Sequence, residues 1–140
     1  KQVWSREIMN QNYADKKPVL IVEDITANSE LFSLQLYQFG LASRHVTNGR
    51  DAFELVQANP DEFSMILMDL QMPVMDGFTA TQLIRQHEAI TGTHVIIVAI
   101  TANRAERIQE QCLQAGMDDF IYKPFTLGKM GDLLTKWFKD

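Results

Sequence analysis

Four short runs in this 140-residue sequence are each followed at once by a residue able to do chemistry. Glu23 and Asp24 follow the run at 18–22, Asp69 follows 65–68, Thr101 follows 95–100, and Lys123 follows 119–122. Three carboxylates brought to one place repel one another, so some must take up protons or a cation must sit among them. Oxygen ligands without His or Cys point to a hard cation, Mg²⁺ or Mn²⁺. Mg²⁺ commonly keeps waters and uses one or two carboxylates plus phosphate oxygens. The Lys123 ammonium and the Thr101 hydroxyl suit a phosphate. The chemistry implied is phosphoryl transfer, with one carboxylate as nucleophile and with the cation and Lys123 neutralising charge in the transition state.

These groups meet only if the fold brings the ends of the runs together. Residues 18–22 are β-branched and apolar on both faces, the pattern of a central parallel strand. A helix is expected over 28–39, with Leu31, Leu34, Leu36 and Phe39 among its apolar positions and Gly40 as its stop. The alternation then repeats. Strands are predicted at 42–46, 65–68, 95–100 and 119–122. Helices are predicted at 50–58 with Phe53 and Val56 inward, at 78–87 with Leu83 and Ile84 inward, and at 104–115 before Gly116. Leu127, Met130, Leu134 and Trp137 at helical spacing give a last amphipathic helix. Such alternation predicts a parallel sheet with helices on both faces, and ligands bind such sheets at the C-terminal strand ends.

Composition narrows the function classes. The formal charge is −5, from 13 Lys and Arg against 18 Asp and Glu, so no basic excess is present to neutralise phosphates and nucleic acid is not the expected partner. The run at 95–100 is far shorter than the ~20 residues of a membrane helix, so this chain is not expected to insert in a membrane. A single cysteine, Cys112, makes neither an internal disulfide nor a cysteine-based zinc site, which fits a reducing cytosol. No secretory signal pattern opens the chain. Residues 1–17 carry Lys1, Arg6, Lys16 and Lys17 against Glu7 and Asp15, so the rest carries −7. This polar opening is expected to be a linker, and a first residue other than Met predicts a piece of a longer protein.

Four stretches now carry a resemblance. They are Glu23-Asp24, Met68-Asp69-Leu70-Gln71-Met72-Pro73-Val74-Met75-Asp76-Gly77, Ile100-Thr101-Ala102 and Tyr122-Lys123-Pro124-Phe125. In this order and at these intervals they resemble the receiver (response-regulator) domain of two-component signalling, over about residues 18–138. With Ala115-Gly116-Met117-Asp118-Asp119, they look most like receivers attached to hybrid sensor histidine kinases.

The resemblance implies a flavodoxin-like, doubly wound α/β domain over 18–140, with five parallel strands ordered 2-1-3-4-5 and five helices. It implies that Asp69 accepts the phosphoryl group. Asp24, Asp69 and the backbone carbonyl of Gln71 would hold Mg²⁺ (or Mn²⁺), with Glu23 acting through a water. Thr101 and Lys123 would contact the phosphoryl group, and Phe120 would be the aromatic switch. The Lys123-Pro124 bond would be cis. The implied partners are the phosphohistidine of a histidine kinase and a histidine phosphotransfer protein docking near the first helix. Such a domain promotes its own phosphorylation and dephosphorylation. The implied place is the cytoplasmic side, as the C-terminal receiver of a hybrid kinase. A single-domain regulator, or a receiver cut from its output domain, is the alternative. The departures are small: Glu23 replaces a commoner Asp, Ile25 an Asn, and Phe120 lacks a hydroxyl.

Plainer readings weigh against other candidates. Met68, Met72 and Met75 read as packing rather than a soft-metal site, because no Cys or His joins them. His45, His87 and His94 are not paired as ligands. Asp118-Asp119 reads as a solvated lead-in to the last strand, and Thr26 or Asn28 as the cap of the first helix. Gln71 and Asn103 border the expected phosphoryl site. A Mg²⁺-dependent aspartyl-phosphate phosphatase would want a second acid where Gln71 stands. A flavin binder would not open its phosphate loop with two acids.

Overall fold

All four side chains of the strand Val19–Val22 are fully buried, so this strand needs apolar cover on both faces. The computed structural model, which describes residues 12–138, supplies it. In chain order the elements are β1 (Val19–Val22), α1 (Thr26–Gln38), β2 (Ser43–Val46), α2 (Gly49–Ala58), β3 (Met65–Asp69), α3 (Gly77–Thr91), β4 (Ile96–Thr101), α4 (Glu106–Ala115), β5 (Asp119–Tyr122) and α5 (Leu127–Phe138). The strands form one sheet in the order β2-β1-β3-β4-β5, every neighbouring pair parallel. This is the expected doubly wound architecture.

Strand periodicity sorts the core into two layers. Val19, Ile21, Met65, Leu67, Val98 and Ile100 pack with α1 and α5 through Phe32, Leu36, Met130 and Leu134. Leu20, Val22, Ile66, Met68, Ile97 and Ala99 pack with α2, α3 and α4 through Ala52, Val56, Ala80, Ile84 and Cys112. Each large side chain so buried stabilises the fold by about 1.5–3 kcal/mol. Met68 is core, and Met72 and Met75 are half-buried against the same layer, as expected.

Two local expectations are corrected, and the inner face of α1, which residue spacing left open, is defined. In α1 the buried positions are Ser29, Phe32, Gln35 and Leu36, while Leu31 and Leu34 are exposed. Apolar residues lie all round this helix, so spacing alone did not pick its inner face. Its N-cap is Ile25, with no side-chain cap, and Glu23 Oε2 instead accepts from the Ile25 N–H at 3.1 Å. The helix expected to end at residue 87 continues to Thr91, because the stop is Gly92 in the left-handed region at φ 76°.

The acids before and at the start of β5 are not a solvated lead-in. Asp118 accepts from Arg85 at 2.8 Å, from the Ile97 N–H at 2.8 Å, and pairs with His94 at 3.0 Å. Arg85 also reaches Glu88, the Gly116 carbonyl and the Val95 carbonyl. Asp119 accepts from Trp137 Nε1 at 2.8 Å and pairs with Lys136 at 3.1 Å. Residue spacing along the chain does not show these partners.

Of the residues expected to be a linker, 12–17 are described and 1–11 lie outside the described residues. Tyr13 donates its N–H to the Phe39 carbonyl at 2.8 Å and sets its ring edge-on to Phe138, with centroids 5.5 Å apart.

Candidate functional site

Parallel pairing places the C-terminal ends of β1, β3, β4 and β5 along one edge of the sheet. Glu23 continues β1 with an N–H to the Val46 carbonyl at 3.1 Å, and Lys123 continues β5 with an N–H to the Thr101 carbonyl at 2.9 Å. Asp69 and Thr101 are the last residues of β3 and β4. The edge opens into a cleft of about 440 Å³ lined by Asp24, Asp69, Gln71, Thr101, Asn103 and Lys123, among others.

The three carboxylates do converge. Glu23, Asp24 and Asp69 each place an oxygen within 4.8 Å of the others, with Glu23 and Asp69 buried and Asp24 exposed. Lys123 Nζ lies 3.1 Å from Glu23 Oε1 and 3.5 Å from Asp69 Oδ2. Burial, then the Glu23 charge, pushes the Asp69 carboxyl up from 3.8 to about 6, while Lys123 and the Gln71 N–H pull the other way. One ammonium thus offsets the repulsion among the acids only in part. An all-oxygen site with an unmet need for positive charge fits a hard divalent cation.

The loop after Asp69 is shaped by its own backbone. Gly77 starts α3 hard against β3, where a Cβ would come 2.3 Å from the Asp69 carbonyl oxygen. Asp76 Oδ1 caps α3 by accepting from the Thr79 N–H at 2.8 Å. Between Pro73 and Met75, Val74 stands at φ 70° in a γ-turn closed by Met75 N–H to Pro73 C=O at 2.7 Å.

Thr101 Oγ1 accepts from the Asn103 N–H at 2.9 Å, and Asn103 Oδ1 accepts from the Ala105 N–H at 2.9 Å. Asn103 therefore shapes the loop it stands on. Phe120 is apart from the carboxylates. It lines a second hollow of about 330 Å³ with Arg104, Tyr122 and Lys129. Tyr122 lies 5.6 Å from Phe120 and under the Arg104 guanidinium at 4.3 Å, and its hydroxyl accepts from Gln109. Lys123-Pro124 is cis, as the resemblance implied. His45 Nε2 lies 2.8 Å from the Glu23 carbonyl oxygen. That contact joins β2 to the cleft and has no signature in residue spacing.

A family profile described as response regulator receiver domain matches residues 19–135. The chain belongs to the receiver-domain family. The receiver is 35% identical over 123 residues to hybrid signal transduction histidine kinase F of Dictyostelium discoideum. That match covers 86% of this chain and 11% of the kinase, so the receiver spans about a ninth of that relative. Among solved structures, it superposes with a TM-score of 0.80 and 31% identity on a chain from the Saccharomyces cerevisiae co-crystal of the histidine phosphotransfer protein Ypd1 and the Ssk1 receiver domain, covering 87% of this chain and 88% of that one. It superposes with a TM-score of 0.78 and 34% identity on the receiver domain of the Pseudomonas aeruginosa sensor histidine kinase PA1611, covering 89% of this chain and 99% of that one. That structure has a magnesium ion coordinated in its active-site cleft.

Proposed function

We propose that Asp69 accepts a phosphoryl group from the phosphohistidine of a histidine kinase or histidine phosphotransfer protein. The observation that carries this reading is the buried Asp69 carboxylate in the cleft, with the Lys123 ammonium shared between it and Glu23. A carboxylate oxygen forms the O–P bond as the P–N bond to imidazole breaks, and the electron pair returns to the ring nitrogen. Lys123 offsets charge on the transferring group. The Thr101 hydroxyl turns from the Asn103 N–H to a phosphoryl oxygen. Asp24, Asp69 and the Gln71 carbonyl would hold Mg²⁺ (or Mn²⁺), with Glu23 acting through a water. Bound there, the cation neutralises phosphoryl oxygens.

The new group adds about −1.5 to −2 charge, which biases a two-state equilibrium. The responding face is α4, β5 and α5, with Phe120 as its switch. The phosphoryl group then passes to a histidine phosphotransfer partner. The co-crystal of Ypd1 with the similar Ssk1 receiver supports a partner of that kind. The outer side of α1 suits its docking: Leu31 and Leu34 are exposed, Ile25 stands at its start, and Glu30 is the helix's one charged residue. Likeness to hybrid kinases supports a hybrid kinase as parent, with this domain on the cytoplasmic side as part of the same reading. No helix among the described residues is long and apolar enough to cross a membrane.

The test is labelling by radioactive acetyl phosphate with Mg²⁺. The chain is expected to label and Asp69→Asn is not; a variant that still labelled would sink the assignment.

A further inference from the structure

The side of α1 that faces the core carries a residue the mechanism above does not use. Gln35 is buried, and its Nε2 donates to the Phe125 carbonyl at 3.1 Å. Its Oε1 is buried with no hydrogen-bond partner among the described residues. One turn earlier, Phe32 stacks on the Phe125 ring, with centroids 4.9 Å apart and planes at 17°. Phe125 stands two residues after Lys123, in the connection to α5. The other end of α1 is tied to the same site, because Glu23 Oε2 accepts from the Ile25 N–H while Glu23 Oε1 holds Lys123.

These contacts close a ring. It runs from Lys123 to Glu23, into the start of α1, along the helix to Gln35, across to Phe125 and back to Lys123. A change in where Lys123 stands must therefore be felt by α1, and a shift of α1 must be felt by Lys123. A buried amide with one atom left unpaired is a poor choice for packing alone, since an apolar side chain would leave no orphaned oxygen. What the amide adds is a fixed position for one backbone carbonyl in the segment that carries Lys123.

We infer that Gln35 is a positioning residue: through Phe125 it sets where the Lys123 ammonium stands beside Asp69, and it makes α1 a second element, besides the α4, β5 and α5 face, that registers occupancy of the site. The inference rests on the phospho-acceptor reading above. Coupling of this kind is reciprocal, so phosphorylation of Asp69 changes the affinity for a partner on the outer face of α1 by the same factor as that partner changes the phosphorylation equilibrium.

The test uses Gln35→Met and Gln35→Leu, which remove the donor and keep an apolar volume. Each variant loses the unpaired Oε1 but leaves the Phe125 carbonyl without its donor, two changes of opposite sign. The thermal midpoint is therefore expected to stay within about 4 °C of wild type. The initial rate of labelling by acetyl phosphate at saturating Mg²⁺ is expected to fall about 10-fold, inside the ~100-fold that a 1 Å misplacement can cost. In the wild-type chain, the Gln35 side-chain amide resonances are expected to shift when Mg²⁺ and beryllium fluoride are added. Variant rates within twofold of wild type, or Gln35 resonances that stay put, overturn the inference. If a variant does not fold, the wild-type spectrum decides alone. If the wild-type chain does not label at all, the phospho-acceptor reading falls instead.

Discussion

Lys123 stands nearer to Glu23 than to Asp69, at 3.1 Å against 3.5 Å. The ammonium is thus shared, and its first partner is the fully buried acid rather than the proposed nucleophile. To reach a phosphoryl group on Asp69, Lys123 must loosen its hold on Glu23. Lys123→Ala should therefore leave Asp69 competent to bind a donor but slow its labelling by about 100-fold, the usual loss on removing one such charge-stabilising donor. Initial rates at saturating Mg²⁺ measure this, and an unchanged rate would remove Lys123 from the mechanism.

Asp69 is predicted to make stability depend on pH in an unusual direction. Its carboxyl is pushed up from 3.8 to about 6, so the folded state binds more protons than the unfolded one between those values. Stability from this group is present at low pH and is lost as pH rises through the folded value. Asp69→Asn removes the penalty of ionisation. The variant should melt above wild type at pH 7.5, by about 2–8 °C for each kcal/mol relieved. At pH 4.5 the folded carboxyl is already protonated while the unfolded one is still mostly ionised, so the gain should shrink to roughly a third. Melting curves at the two pH values check this, and a gain that is equal at both contradicts the proposed cause.

Mg²⁺ should stabilise the folded chain by mass action. A ligand held only by the folded state adds about 2.7 kcal/mol at 100 times its dissociation constant. Asp24 is exposed, so Asp24→Asn should fold normally and lose this gain. Calorimetry with MgCl₂ reads the binding directly. Retained binding in the variant would take Asp24 out of the ligand set.

The outer face of α1 is open to a separate test. Leu34 is 63% exposed, so Leu34→Arg should change stability by no more than about 0.5 kcal/mol. Labelling by acetyl phosphate should be unaffected, because the small donor needs no docking face. Transfer from a phosphorylated histidine phosphotransfer protein should fall about 10-fold, which corresponds to ~1.4 kcal/mol of lost contact. Equal transfer rates would place the docking face elsewhere.

Arg85 carries a prediction about the fold alone. Its guanidinium pairs with the largely buried Glu88 and Asp118, at 2.6 and 2.8 Å. Arg85→Met would leave both acids without that partner. Breaking such a pair typically costs about 3–5 kcal/mol. Urea unfolding should show the loss while labelling of the surviving folded fraction continues.

The sequence by itself determined the elements and the membership of the cleft. Central parallel strands are apolar on both faces, so the runs at 19–22 and 65–69 are legible without partners, and the polar residues that end them must meet at one edge of the sheet. Glu23, Asp24, Asp69, Thr101 and Lys123 were readable for that reason. The inner face of α1 was not, because its apolar residues are not confined to one stripe. Which of Leu31, Phe32, Leu34 and Leu36 turns inward depends on the side chains of α5 and the sheet, which come from distant parts of the chain. The burial of Asp118 and Asp119 was hidden for the same reason: their partners Arg85 and Trp137 lie far along the chain. Only the tertiary structure decided that Lys123 leans toward Glu23 and that Gln35 holds the segment behind it. Local preference acts within a few residues, whereas these contacts join residues 100 and 90 apart in sequence.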